Sequence, residues 1–416
     1  MAASDSDGVT SPGRRAFLVQ TAGTLAGAAL IPDLDRLGPR RLPEPKNVAV
    51  VGCGRQGRAV IAELAKIDGA RVVALVDTDA GRLRIGLDRA AGAEGFSDHR
   101  AMLEKRRDLD AVVVATPTHL HRAIVEDALA AGKHVYCEAP LAHTVEDARA
   151  IAAAAQAATG RIFMAGFLAR SNPVYQLART FYRTDAFRDF IGGSARYHRK
   201  TSWRFPATTA EAELLANWRL DPSISTGLAG EMASHQLDVF HWFRNKIPVS
   251  VTGAGIVAAN RDGRKVADTI NLLFRFEDGT AVSYEASLGN SFGGQDEVFR
   301  GTNAAFRLAW THGWMFKEVD ATTLGWEVYA LRQQFHQDEG IILIADATKL
   351  AAQGQLKAGI GLPYPPLYYG LADFLRTVVF PNVPVPCGAL EGLRATIVGI
   401  RANQAVISGT MVEITA

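Results

Sequence analysis

The chain has 416 residues, 48% of them apolar, and its 45 lysines and arginines nearly balance 43 aspartates and glutamates, for a formal net charge of +2. So even a balance provides no extended field for nucleic acid or an acidic membrane surface, which excludes both as expected partners. The length exceeds one ordinary core and fits two domains plus a leader. Cys53, Cys137 and Cys387 form no metal-like spacing and cannot all pair within one chain, so they read as small buried thiols and no metal is expected.

The N-terminal segment differs in kind from the rest. Ser11-Pro12-Gly13-Arg14-Arg15-Ala16-Phe17-Leu18 precedes the small, apolar stretch Val19 to Ile31, which resembles a twin-arginine export signal. That stretch is too short and too rich in Gly and Ala to span a membrane. Residues 32–45 read as a linker rich in Pro and Arg. The expectation is a protein exported by the twin-arginine route, periplasmic or otherwise, with no membrane span in its mature form.

From Lys46 to Phe167 short β-branched runs alternate with Ala-rich helical stretches, the mark of βαβ units and a parallel sheet. Strands are predicted at 47–51, 71–76, 111–115, 134–137 and 161–165. The first ends in Gly52-Cys53-Gly54-Arg55-Gln56-Gly57, followed by the helical stretch Arg58 to Lys66. In that context the glycines permit a tight turn, a close approach of pyrophosphate and close helix–strand packing, with the phosphates at the helix N-terminus. The second strand ends in Asp77, about 20 residues past the last glycine, where a carboxylate can accept the adenosine ribose hydroxyls. NAD is therefore favoured over NADP, although Arg55 and Arg82 could tolerate a 2′-phosphate.

Beyond Gly166 longer alternating segments appear: Gly193 to Thr201, Val249 to Val257, Thr269 to Phe276 and Ala281 to Ser287, with Asp278-Gly279 as a hairpin turn. This predicts an antiparallel sheet. Helices are predicted over Gly230 to Phe243 and Glu391 to Ser408.

Ala115-Thr116-Pro117-Thr118-His119-Leu120-His121 and Lys133-His134-Val135-Tyr136-Cys137-Glu138-Ala139-Pro140-Leu141 resemble the second nucleotide-binding region of the Gfo/Idh/MocA superfamily. The resemblance runs from Asn47 to Ile407. It implies an α/β protein: an N-terminal Rossmann domain, a doubly wound parallel sheet over 46–166, and a C-terminal α/β substrate domain over 167–416 built on an open antiparallel sheet. It further implies homo-oligomers formed through that sheet, a sugar or polyol as substrate, and a last helix that is a candidate to pack back on the first domain. Thr116, Pro117, His121, Glu138 and Pro140 join Gly52, Gly54, Arg55, Gln56, Gly57 and Asp77 as the expected NAD-binding set.

One position departs from the family. Its usual Glu-Lys-Pro lysine, which helps stabilise charge on the reacting hydroxyl, is Ala139 here, and alanine donates no hydrogen bond. Either another cation replaces it or the chemistry differs.

The segment Gly230-Glu231-Met232-Ala233-Ser234-His235-Gln236-Leu237-Asp238 holds the expected base. On an α-helix Glu231 and His235 share a face, which would set a carboxylate against the imidazole. By resemblance His235 accepts the hydroxyl proton, Glu231 stands where the family has aspartate, and Asp238 is structural. On the run Arg196 to Arg204, strand alternation puts Arg196, His198 and Lys200 on one side; with Trp203 and Trp218 they are candidates to bind substrate, and Lys200 to restore the missing cation. A solvated basic sheet edge reads equally well. The expected function is an NAD-dependent oxidoreductase acting on a secondary hydroxyl of a sugar or polyol. The alternative is an NAD-dependent glycoside hydrolase working through transient oxidation, elimination, water addition and re-reduction; a third is a non-catalytic sugar-binding relative.

Overall fold

The computed structural model describes residues 40–343 and 361–415 apart from 208, 326, 328, 329, 336 and 337. The expected export signal lies outside the described residues. The first sheet is six parallel strands: β1 (Arg41–Val51), β2 (Asp68–Val76), β3 (Glu94–Phe96), β4 (Ala111–Val114), β5 (His134–Cys137) and β6 (Phe163–Ala165), in the order β3-β2-β1-β4-β5-β6. Helices α1 (Arg55–Leu64), α2 (Ala80–Leu87), α3 (His99–Lys105), α4 (His121–Ala130) and α5 (Val145–Ala157) connect them. This is a doubly wound sheet whose order reverses between β1 and β4, the position where such folds open a ligand crevice. Two details differ from the sequence reading. Strand β3 is too short to show a periodicity of its own, and β1 begins within the expected linker because Leu42 is buried against Gly69.

The second sheet has ten strands. After α6 (Pro173–Tyr182) come β7 (Phe190–His198), β8 (Ser250–Ile256), β9 (Thr269–Arg275), β10 (Ala281–Ser287), β11 (Gln295–Gly301), β12 (Ala304–Ala309), β13 (His312–Lys317), β14 (Arg332–Phe335), β15 (Asp338–Ile342) and β16 (Val412–Glu413). Their order is β14-β15-β13-β12-β11-β7-β10-β9-β8-β16. The expectation of an antiparallel sheet needs one correction: β7 and β10 run parallel, while the other pairs are antiparallel. The chain leaves β7 by a long crossover containing α7 (Ala210–Ala216) and α8 (Ser234–Arg244), so the β8-β9-β10 meander returns beside β7 in the same direction. Asp278-Gly279 makes the β9–β10 turn, with Gly279 at φ 80°.

One face of this sheet is apolar and carries α8. Ala195, Val282, Tyr284, Ala286, Phe299 and Phe306 are buried beneath the helix, and Phe240 stacks on Phe299 with ring centroids 4.2 Å apart. The other face is polar and exposes Ser283 and Glu285.

Two late helices return to the first domain. Leu371, Phe374 and Leu375 of α9 (Pro366–Val379) are buried in one core with Val48, Val50 and Leu64, and the Tyr368 hydroxyl accepts the Arg40 N–H at 2.7 Å. The first domain's core is therefore completed from the far end of the chain, not by residues 46–166 alone. Helix α10 (Ala389–Ser408) crosses both domains: a Cβ on Gly392 would lie 2.6 Å from Ala165 Cβ, and one on Gly399 would lie 3.1 Å from Gly230 Cα.

Arg170, which follows β6, ties the two domains from the other side. Its Nε and Nη2 donate to the two Asp238 carboxylate oxygens at 2.9 and 2.7 Å, and both side chains are buried. Breaking such a pair leaves an uncompensated charge, whereas replacing both partners removes the desolvation cost as well. Arg170→Leu is expected to lower unfolding stability by roughly 3–5 kcal/mol in urea titrations, and Arg170→Met with Asp238→Leu by much less.

Candidate active site

The dinucleotide turn shows why each glycine is required. Gly52 has φ 99°, and a Cβ there would meet the Ala115 carbonyl oxygen at 2.6 Å; on Gly57 it would meet the Gly52 carbonyl oxygen at 1.7 Å. Gly54, which caps α1, differs: a Cβ there would meet nothing within 4 Å. That open space above a helix N-terminus fits a diphosphate. Thr116, at the end of β4, has a buried hydroxyl oxygen without a hydrogen-bond partner, as a site awaiting a polar ligand requires. Asp77 already accepts the Cys53 N–H at 2.8 Å and the Asp79 N–H at 2.9 Å. Each carboxylate oxygen can take a second donor, so ribose hydroxyls are still accommodated. Burial, reinforced by Asp77, pushes the Cys53 thiol up to about 12, which makes it inert.

The loop after β5 faces this turn. Gln56 Nε2 donates to Glu138 Oε1 at 3.0 Å, and the Ala139–Pro140 peptide is cis. Burial raises the Glu138 carboxyl to about 7, with the Gln56 bond opposing. His121 sits beneath the loop: its Nδ1 lies 3.2 Å from the Leu141 carbonyl oxygen and its Nε2 3.0 Å from that of Thr116. The structure therefore gives His121 a supporting place between the two loops, its one ring N–H donating to one carbonyl or the other. Pro117 precedes a short 3₁₀ turn, Thr118–Leu120, that projects toward the second domain.

The expected helix over 230–243 begins instead as a π turn, Ala229–Ala233, before α8 starts at Ser234. Ser234 Oγ donates to the Gly230 carbonyl at 2.6 Å, and Gly230 itself presses against Thr226. The wider turn alters the expected face-sharing of Glu231 and His235. Glu231 is buried and accepts from Arg219 Nε at 2.8 Å, Thr226 Oγ1 at 2.9 Å and, across the domain boundary, Thr118 Oγ1 at 3.3 Å. It acts on His235 through charge alone.

His235 lies against the Phe167 ring, centroids 5.2 Å apart, beside the Ala139 carbonyl. Its Nδ1 is buried without a hydrogen-bond partner, and the residue as a whole is half-buried. Burial lowers its pKa below the ordinary imidazole value; Glu231, Asp238 and the Ala139 carbonyl oppose that. The resulting neutral ring at neutral pH is the form that accepts a proton.

The basic strand divides differently from the sequence expectation. Arg196, His198 and the parallel partner Glu285 belong to the polar sheet face: Arg196 Nε donates to Asp296 at 2.7 Å, and His198 Nδ1 lies 2.8 Å from the Phe292 carbonyl. The structure thus places Arg196 and His198 away from the cleft, since they alternate with Ala195, which points to the core under α8. Lys200 follows the strand, is exposed, and is held by its backbone N–H on Ser291 Oγ at 2.8 Å; among the described residues its ammonium makes no ion pair. Trp203 and Trp218 are brought to one cation: both are buried, and Arg219 lies 5.8 Å and 4.4 Å from their ring centroids. Arg219, Thr118 and Thr226 were missed as site residues. Arg219 could have been found from its place beside Trp218, a flat ring on which a guanidinium stacks.

A doubly wound domain with an open diphosphate cradle, facing a partly accessible neutral histidine from a second domain, defines an NAD-binding oxidoreductase. Residues 46–167 match the oxidoreductase family with an NAD-binding Rossmann fold, and residues 193–307 match the GFO/IDH/MocA C-terminal domain. The chain belongs to the Gfo/Idh/MocA family. It is 29% identical over 253 residues to inositol 2-dehydrogenase 1 of Saccharopolyspora erythraea, a match covering 59% of this chain and 68% of that protein. Over 157 residues it is 31% identical to a glycosyl hydrolase family 109 protein of Shewanella amazonensis, covering 32% of this chain and 34% of that one. A solved levoglucosan dehydrogenase in complex with NADH and levoglucosan shares the fold, with a TM-score of 0.71 at 19% identity over 90% of this chain and 100% of that one.

The raised Glu138 pKa has a stability consequence of definite sign. Between the ordinary 4.5 and about 7 the folded state keeps a proton that the unfolded state loses, so stability falls as pH rises through that window. Glu138→Gln should raise Tm more at about pH 8 than at about pH 5. An equal shift at both values, read by calorimetry, would reject the assignment.

Proposed function

We propose that this protein oxidises a secondary hydroxyl of a sugar or polyol, with His235 as the proton acceptor. The observation that carries the reading is the neutral, partly accessible His235 set beside the Ala139 loop of the NAD-binding domain. Bound NAD supplies the hydride acceptor. The protein's part is to hold the hydroxyl-bearing carbon toward it and to take the hydroxyl proton on His235, whose basicity Glu231 raises. Trp203 and Trp218 hold Arg219 beside the cleft, and the named activities of the inositol and levoglucosan dehydrogenases support that substrate class.

We further propose that the N-terminal segment directs export by the twin-arginine route, and that NAD leaves the cell already bound. The arginine pair Arg14-Arg15 before an apolar stretch supports this. Outside the cytoplasm a reduced cofactor must be reoxidised in place, by a second substrate or within one catalytic cycle. The polar face of the ten-stranded sheet, with Arg196, Arg300 and Glu285, is the surface proposed for homo-oligomer contact.

A second reading has its own support. Ala139 removes the usual lysine, and the match to a glycosyl hydrolase family 109 protein fits an NAD-dependent glycosidase that oxidises a ring hydroxyl transiently, eliminates the aglycone, adds water and re-reduces. Aryl glycosides in deuterated water separate the two. Aglycone release with deuterium beside the oxidised carbon and no net NADH establishes elimination; net NADH without cleavage establishes the dehydrogenase.

His235→Ala should lower turnover by roughly 10²- to 10⁴-fold while the NAD released on denaturation, measured by mass spectrometry, stays at the native level. Turnover at the native rate would remove His235 from this role. Glu231→Gln should move the acid limb of the pH–rate profile to lower pH, because the imidazole loses the negative neighbour that raises its pKa.

A further inference from the structure

The lysine absent at Ala139 leaves an unanswered electrostatic requirement. As the hydroxyl O–H bond breaks toward His235 and the C–H electron pair departs to the hydride acceptor, the oxygen holds negative charge until its lone pair completes the C=O bond. A fixed donor at that oxygen lowers the barrier, and alanine supplies none.

We infer that Arg219 is the cation that replaces the lysine. This rests on the oxidoreductase reading above. Three observations place Arg219 for the task. It is anchored on both sides: Nε donates to buried Glu231 at 2.8 Å, and the guanidinium lies 4.4 Å from the Trp218 ring centroid. It is also still available, because its side chain remains 35% exposed and Nε carries its one side-chain hydrogen bond among the described residues. The terminal N–H groups are left to face a ligand. Finally, its anchor belongs to the base's own segment: Glu231 lies in the π turn that runs directly into His235, and Thr118, from the turn after the NAD-binding β4, donates to the same carboxylate. One carboxylate thus ties the cation, the proton acceptor and the nucleotide domain into a single arrangement.

The other cations are less suited. Arg170 is consumed by Asp238 in the interior, Lys200 lies on the exposed stretch beyond β7, and Arg55 sits at the start of α1 under Phe205, where the diphosphate cradle opens. Burial, together with repulsion from Arg219 and Arg199, lowers the Arg55 pKa. That repulsion is relieved when anionic charge enters the cleft.

The test uses native protein with its bound nucleotide, screened for turnover of myo-inositol, levoglucosan and a series of free aldoses. On whichever is used, Arg219→Met should lower kcat by roughly 10²-fold or more with a much smaller change in KM and bound NAD near native, and with a lowered Tm because buried Glu231 loses its cation. Adding Ala139→Lys to that variant should return at least about tenfold of the loss, because an ammonium from the family's usual position then serves the same oxygen. Arg219→Lys should lie between the two, keeping the charge and losing the planar fork. Arg219→Met within about threefold of native, while His235→Ala is inactive, overturns this inference alone. Loss of activity that neither lysine variant relieves assigns Arg219 a structural role and overturns it as well. If His235→Ala is also unaffected, or native protein turns over none of the panel, the oxidoreductase reading fails and takes this inference with it.

Discussion

The arrangement depends on how closely α10 approaches two other segments at once. Gly392, Thr396, Gly399 and Asn403 fall at helical spacing on one face of that helix. Gly392 packs on Ala165 and Leu141, and Thr396 Oγ1 accepts the Leu141 N–H at 3.0 Å; Gly399 touches Gly230, and Asn403 fills the space at Gly227. The first two contacts hold the loop that follows Ala139, and the last two hold the segment leading to His235. Two glycines are required because a Cβ at either would push one of those segments away. The NAD-binding domain and the proposed base, His235, are thus spaced by one rigid helix, which is what a hydride transfer sensitive to about an ångström needs.

Given that spacing, the interior charges divide into those that hold and those left to react. Asp238 is used up by Arg170 with two-pronged geometry, which fixes α8 from below and leaves His235, three residues earlier, without a direct carboxylate partner. Gln236 fastens the same helix to the sheet through Glu297 at 2.7 Å. Pinned on both neighbouring sides, the imidazole is held by its surroundings and the Ala139 carbonyl, with Nδ1 left unpartnered. Its free Nδ1 is then an opening in the network, costly when empty and satisfied when a polar ligand arrives.

Much of this was legible in the residues. The glycine turn declared itself because Gly52 and Gly57 answer backbone clashes and Gly54 leaves open space in the strand–turn–helix pattern, and the β-branched runs gave five of the strands of the parallel sheet because buried parallel strands are continuously apolar. The short strand Glu94–Phe96 and the pairs formed by residues 295–317 were not legible: mixed polar and apolar positions there reflect two-sided packing that one chain segment does not announce. The error at Arg196 and His198 is of another kind. Alternation correctly grouped them on one face, but periodicity cannot say which face meets the cleft; the burial of Ala195 under α8 decides that. Likewise the spacing of Glu231 and His235 suggested a direct pair under α-helical geometry, and a single π turn was enough to hand Glu231 to Arg219.

The proposed exchange of a lysine for Arg219 at the reacting oxygen also changes what titrates. A desolvated lysine ammonium can lose its proton within the working range, so its charge and any proton it lends depend on pH. A guanidinium keeps its charge throughout. Arg219 can therefore stabilise an alkoxide but cannot pass a proton to it. In the proposed mechanism proton movement is left to His235, whose lowered pKa reflects burial opposed by the carboxylate that holds the arginine. Glu231 thus sets the direction of the cation and the strength of the base together, and neither can be altered without the other.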